Sequence, residues 1–202
     1  MRVISGALKG RRLLTPRRQS IRPTSDRVKE SIFNILGGEV EGKVVLDLFS
    51  GTGNLGIEAL SRRAKRATFV EKGREASRLI QKNLLQCGME EQSEILSKDV
   101  HRAIGILKQR RESFDLILMD PPYEEGLVQK TLMKLNSERI YHRDSILIIE
   151  HDRREPLPHV IEGWSLIRQR RIGDTVISFL RPRVFVEVEK IAYTGGVPWP
   201  TG

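Results

Sequence analysis

Residues 114–126 read FDLILMDPPYEEG, an apolar run that stops on an acid, two prolines and a tyrosine. Leu116 to Met119 have the pattern of a strand covered on both faces, and Asp120 ends it. Pro121 and Pro122 fix φ and donate no hydrogen bond, so the loop that follows is stiff. An exocyclic amino group on a nucleobase is a poor nucleophile, because its lone pair is delocalised into the ring. The Asp120 carboxylate and the Pro121 carbonyl supply two acceptors that could hold both N–H bonds in the base plane and help localise that lone pair. Tyr123 can stack on the base, and the prolines keep these groups oriented. The chemistry that fits is in-line transfer of a methyl group to nitrogen, with the surplus proton leaving to Asp120 or to water.

A second constellation lies upstream. VLDLFSGTGNLG, residues 45–56, carries Gly51, Gly53 and Gly56 in the G-x-G-x-x-G pattern. Such glycines let backbone amides approach a ligand at the carboxyl edge of a sheet. Glu71 stands 20 residues beyond Gly51, where an acid binds ribose hydroxyls. A dinucleotide is therefore one available ligand. Asp47, four residues before Gly51, argues against it, because a carboxylate beside a pyrophosphate is repelled. S-adenosylmethionine instead brings an ammonium and a sulfonium to that position. A helix-capping role for Asp47 is discounted, since it precedes the next helix by about seven residues. Asp99, in LSKDV, can accept from an adenine amino group. Asp47, Glu71 and Asp99 end successive predicted strands and so would line one crevice.

The elements needed to position these residues are legible as alternating periods. Strands are expected at 43–49, 66–71, 93–99, 114–120 and 145–151, with helices at 54–63, 74–88, 100–111 and 125–137 between them. Before them, a helix opens near Pro23, with Thr24 or Ser25 as cap, and runs to Leu36. After them, 164–182 reads as two strands around Gly173-Asp174. The expectation is an α/β fold, a Rossmann-like, mostly parallel seven-stranded sheet that ends in an antiparallel hairpin. Residues 1–22 read as a small basic β-hairpin for RNA contact, 23–182 as the catalytic domain, and 183–202 as a Gly- and Pro-containing tail without an assigned role.

The 202 residues suit one domain of ordinary size, with 39% hydrophobic and 30% charged residues. Of the net charge of +9, residues 1–30 contribute +7, nine basic residues against two acids. Such a stripe favours a polyanion, most simply nucleic acid, over a merely solubilising arm. Arg2, Lys9, Arg11, Arg12, Arg17, Arg18 and Arg22 are the candidate RNA contacts. No apolar run matches a membrane span, and the basic N-terminus lacks a secretory leader's apolar core, which points to a cytoplasmic protein. The lone Cys87 makes no disulfide and is expected to pack as a structural thiol. The histidines show no metal-binding spacing, and EHDRRE, 150–155, reads as a solvated loop after a strand.

RPTSDRVKESIFNIL, VLDLFSGTGNLGIEALSR, FVEK and FDLILMDPPY together resemble the bacterial 16S ribosomal RNA guanine-N2 methyltransferases of the RsmD type, over about residues 1–181. The resemblance implies a class I methyltransferase that converts S-adenosylmethionine to S-adenosylhomocysteine and makes N2-methylguanine at guanine 966 of 16S rRNA. By position it implies that Asp47, Gly51 and Gly53 hold the methionine part, Glu71 the ribose and Asp99 the adenine, with Ser50 among the cofactor-binding residues and Thr24 and Arg27 beside them. Asp120, Pro121, Pro122 and Tyr123 would form the acceptor site. Ser50 stands where family members often have alanine. The expected partner is 16S rRNA, within a 30S subunit or an assembly intermediate, met by a monomer away from membranes. Three other readings remain open: amino methylation of adenine or cytosine in DNA or another RNA, a non-catalytic RNA-binding module, and an NAD-dependent oxidoreductase. The short inter-strand insertions disfavour a DNA-recognition domain, and Asp47 disfavours NAD.

Overall fold

The computed structural model describes residues 1–15, 26–123, 126–158 and 161–183. The expected alternation is present: α1 (Asp26–Leu36), β1 (Val44–Leu48), α2 (Asn54–Ser61), β2 (Arg66–Val70), α3 (Arg74–Cys87), β3 (Ser93–Leu96), α4 (Val100–Gln109), β4 (Phe114–Met119), α5 (Leu127–Glu138), β5 (Tyr141–Asp152), β6 (Trp164–Ile172) and β7 (Thr175–Pro182). One sheet holds all seven strands in the order β3-β2-β1-β4-β5-β7-β6. Strands β1 to β5 are parallel, and β7 runs antiparallel between β5 and β6. The chain builds outward from β1 through β2 to β3, then returns to β4 on the other side of β1. That reversal opens a crevice at the carboxyl ends of β1 and β4.

Side chains alternate between two cores, as strands covered on both faces require. Val45, Leu116, Leu118, Ile146 and Ile148 join one cluster, with Ile32, Phe33, Ile57 and Ile80 from α1, α2 and α3. Leu46, Leu48, Ile117, Met119, Leu147 and Ile149 join the other, with Ile104, Leu107 and Leu132 from α4 and α5. Cys87 is buried at the end of α3, which closes on Gly88 at φ 63°.

Three features differ from the sequence reading. First, β5 runs on to Asp152, because it pairs with β7 as far as Asp152↔Thr175. Glu150, His151 and Asp152 are therefore buried at 5%, 2% and 2% exposure, rather than lying in a solvated loop. Second, the described part of the expected basic hairpin, residues 1–15, has no regular strands but closes antiparallel, by the Arg2↔Arg12 bridge and by amides donating from Val3 to Arg11 (2.9 Å), Gly10 to Val3 (2.9 Å) and Leu13 to Met1 (3.1 Å). Third, this arm packs into the main core through Val3 and Leu13 rather than standing apart.

Side chains of α2 hold the arm. The Glu58 carboxylate accepts from the amides of Ile4 (2.8 Å) and Ser5 (3.0 Å), and the Ser61 hydroxyl accepts from Leu8 (3.0 Å). Gly6 passes so close that a Cβ there would lie 1.8 Å from the Ser61 carbonyl oxygen, so only glycine fits. Beneath the arm, Lys29 of α1 sits 3.4 Å from Glu58, both side chains fully buried. The Lys29 ammonium also donates to the Arg2 carbonyl (2.5 Å) and the Asn54 side-chain oxygen (2.6 Å). Burial pulls the Lys29 pKa below the ordinary lysine value, and the Glu58 charge opposes that shift.

Candidate active site

The carboxyl edge of β2-β1-β4 gathers three acids of the sequence reading. Asp47 is the fourth residue of β1, Glu71 follows β2 and Asp120 follows β4. Asp47 is 2% exposed, whereas Glu71 and Asp120 are half-buried. Burial, above all, pushes the Asp47 carboxyl up to about 8. The Gly56 amide pulls it down, and the nearby negative charges of Asp120 and Glu71 raise it further.

The Asp47 geometry corrects the discounting of a cap. Its Oδ2 accepts from the Gly56 amide at 2.9 Å, in the first turn of α2. The residue at the start of that helix, Gly53, has no side chain to serve, so the strand supplies the carboxylate instead. Gly56 makes the approach possible, because a Cβ there would stand 2.3 Å from the Phe69 ring and 3.0 Å from Asp47 Oδ2. Between them the loop turns through left-handed conformations at Phe49 (φ 59°), Gly51 (φ 55°) and Gly53 (φ 77°). Phe49 pays a steric cost that the glycines do not, which marks this loop as held by its surroundings.

Glu71 provides one of those holds. Its carboxylate accepts from the Gly51 amide (3.0 Å) and the Gly73 amide (2.7 Å), fixing the glycine loop against β2. Each oxygen keeps a further lone pair for a hydroxyl donor. The Ser50 hydroxyl donates to the Asp47 carbonyl (2.5 Å) and accepts from the Val70 amide (2.9 Å), so it fastens β1 to β2. Asp99 caps α4, accepting from His101 (2.9 Å) and Arg102 (3.4 Å) through Oδ1, with its side chain 58% exposed.

On the acceptor side, Asp120 continues the ladder onto β1, its amide meeting the Leu48 carbonyl at 3.5 Å. Pro121 is buried, Tyr123 half-buried and Pro122 exposed. Arg27 stands exposed on the first turn of α1, and Thr24 lies outside the described residues. Of the basic candidates, Arg2, Lys9, Arg11 and Arg12 are exposed on the arm, whereas Arg17, Arg18 and Arg22 lie outside the described residues. A shallow concavity of about 480 Å³ is lined by Lys9, Arg11, Arg12 and Gln86.

Asn83 was missed by the sequence reading. Fully buried on α3, it accepts from the Leu14 amide (2.7 Å) and donates to the Thr52 carbonyl (3.0 Å), so one amide joins the basic arm to the glycine loop. Its signal was a polar residue on the apolar face that holds Ile80, Leu84 and Cys87. Lys29 and Glu58 carry the same signal on the buried faces of α1 and α2. No helix among the described residues is long and apolar enough to cross a membrane, and no metal-ligand cluster occurs among them.

The residues fit a cationic ligand. A carboxyl whose pKa is raised first by burial and then by neighbouring acids gains a partner when an ammonium arrives, while a pyrophosphate would add to the repulsion.

A family model described as "Conserved hypothetical protein 95" matches residues 1–181. "Putative rRNA methyltransferase YlbH" of Bacillus subtilis is 36% identical over 183 residues, covering 91% of this chain and all of that protein. "Ribosomal RNA small subunit methyltransferase D" of Escherichia coli strain K12 is 34% identical over 175 residues, 86% of this chain and 85% of that one. Among solved structures, "Putative methyltransferase yhhF from Escherichia coli" has a TM-score of 0.78 at 31% identity, covering 90% of this chain and 97% of that one.

Proposed function

Because this chain belongs to the family of ribosomal RNA small subunit methyltransferase D, we propose that it methylates the N2 amino group of a guanine in 16S rRNA, guanine 966 by family resemblance, from S-adenosylmethionine. The observation that carries this reading is Asp120, an amide-aligned acceptor beside the acid crevice where a cationic ligand fits. When bound, S-adenosylmethionine supplies an electrophilic methyl group on a sulfonium sulfur. Asp47 would face its ammonium end, and the backbone of Gly51 and Gly53 its methionine chain. Glu71 would take the ribose hydroxyls and Asp99 the adenine amino group, with Thr24 and Arg27 at the entrance. The Asp120 carboxylate and the Pro121 carbonyl would accept the two N–H bonds of the guanine amino group, and Tyr123 would stack on the base. After transfer, Asp120 or water takes the surplus proton.

The target amino group must leave its helix to reach this edge, so the substrate base is flipped or looped out. The exposed arginines and Lys9 of the docked arm would grip the surrounding phosphates. We read the partner as rRNA in a 30S subunit or assembly intermediate, met by a monomer in the cytoplasm. The test offers labelled S-adenosylmethionine with free 16S rRNA and with 30S particles lacking the modification, followed by nucleoside analysis. N2-methylguanosine at one position is expected. Methylated adenine or cytosine would overturn the assignment of base, and absence of transfer to either substrate would overturn the RNA.

Cofactor binding should release a proton. Below about pH 8 the free Asp47 carboxyl is protonated, and an opposing ammonium favours its ionised form. Affinity for S-adenosylhomocysteine should therefore rise between pH 6 and 8, by up to about tenfold per unit. Calorimetry in buffers of different ionisation enthalpy measures the released proton directly, and pH-independent binding would remove Asp47 from the contact. The same linkage sets a sign for the unliganded fold. Its Asp47 pKa lies above the unfolded value, so stability falls as pH climbs from 3.8 towards 8.

A further inference from the structure

The mechanism leaves one buried acid at this edge unused. Glu150 is the tenth residue of β5, 5% exposed. His151 is held between the Asp152 carbonyl (3.1 Å) and the Ser178 hydroxyl (2.9 Å), and Asp152 receives the Arg154 guanidinium at 2.9 Å and 3.1 Å.

The register puts Glu150 next to the acceptor motif. Met119 of β4 pairs with Ile149 of β5, and continuing that register one residue past the end of β4 sets Asp120 opposite Glu150. Adjacent strands lie about 4.8 Å apart. The alternation of faces agrees. Leu116, Leu118, Ile146 and Ile148 belong to one core, and Ile117, Met119, Leu147 and Ile149 to the other. Asp120 and Glu150 each come one step after a residue of the second core, so both fall on the face of the first. Asp47, two residues after Val45 of that same core, is on this face too, one row deeper.

We propose that Glu150 determines base specificity by accepting the N1–H of the guanine whose N2 amino group lies at Asp120. The proposal rests on the reading of that site as an amino-group acceptor. In guanine the ring nitrogen beside the amino carbon, on the Watson–Crick edge, carries hydrogen. In adenine and cytosine the corresponding nitrogen is a bare acceptor. A carboxylate one strand away is attractive to the first and repulsive to the others. The two acids thus divide the guanine edge: Asp120 takes the reacting amino group, and Glu150 takes the neighbouring ring N–H.

The test compares wild type, Glu150→Gln and Glu150→Asp on an rRNA substrate carrying guanosine or 2-aminopurine at the target. 2-Aminopurine keeps the reacting amino group but has no hydrogen on N1. Wild type should prefer guanosine by about 10²-fold in kcat/KM, because a buried acceptor left facing a lone pair is penalised. Glu150→Gln can donate to that nitrogen, so the preference should shrink at least tenfold, with Glu150→Asp between the two. Loss of the 6-oxo group is common to all three proteins and cancels in the comparison. S-adenosylhomocysteine binding and melting temperature control for folding. An unchanged preference in a folded Glu150→Gln protein would overturn the proposal. Failure of wild type to methylate guanosine at all would instead overturn the underlying assignment of function.

Discussion

Asp120→Ala should lose about 10³-fold in the rate of methyl transfer while still binding S-adenosylhomocysteine. The size follows from removing one preorganised group aimed at charge that develops only during reaction, which typically costs about 10²–10³ in kcat. Two effects act together. The amino group loses an acceptor that localises its lone pair, and the product loses a place for its proton. Cofactor affinity should hold or improve slightly near neutral pH, because the Asp120 charge raises the Asp47 carboxyl and its removal eases ionisation there. Asp120→Asn keeps one oxygen acceptor and should retain more activity than the alanine variant. Single-turnover rates with saturating cofactor, set beside calorimetric affinities, separate the two parts. A folded Asp120→Ala protein with near-normal turnover would take Asp120 out of the mechanism.

Glu58→Ala should destabilise the protein by about 3 kcal/mol, because removing one member of a buried ion pair strands the other. For a chain of this size that is a drop in Tm on the order of 10 °C. Lys29 would keep the Arg2 carbonyl and Asn54 but lose its salt-bridge partner, leaving only the weaker pull of Asp26. The amides of Ile4 and Ser5 would lose their acceptor, and Arg62, whose guanidinium lies 4.8 Å above the Phe33 ring, would lose its partner at 2.9 Å. The arm should loosen, weakening RNA binding more than cofactor binding. Lys29→Met combined with Glu58→Gln removes both charges and keeps an acceptor for the arm, so it should recover much of the loss. Thermal melts of the single and double variants check this. A Glu58→Ala protein that melts with the wild type would show that the pair contributes little.

Much of the architecture follows from local periods. Apolar runs of strand length, separated by helices of period 3.6, leave few arrangements besides a doubly wound sheet, and the seven-stranded order agrees. Glycines at 51, 53 and 56 marked the loop after β1, and Asp120 to Tyr123 marked the loop after β4, because both sets sit at strand ends. Spacing along the chain misled where the contact is non-local. Asp47 and Gly56 are nine residues apart, too far for a conventional cap, yet strand and helix fold back on each other and close the gap to 2.9 Å. Ser50 matched a ligand-binding position by sequence, but its hydroxyl is taken by the backbone of β1 and β2.

By itself, the sequence determined the order of elements, the two strand-end loops that carry the candidate site residues and the sign of the charge on the N-terminal segment, because each is written in composition or in periods of a few residues. Only the tertiary structure decided which charges are buried and what faces them. Lys29 and Glu58 are 29 residues apart, and so are Leu118 and Leu147, yet the first two meet in a buried ion pair that holds the N-terminal arm and the other two fall in separate apolar cores on opposite faces of the sheet. Glu150 reads from sequence both as the end of a strand and as the start of a polar loop, and only pairing with β7 shows it buried within β5. Burial and opposition depend on the surfaces that long-range pairing brings together, and no local period encodes them.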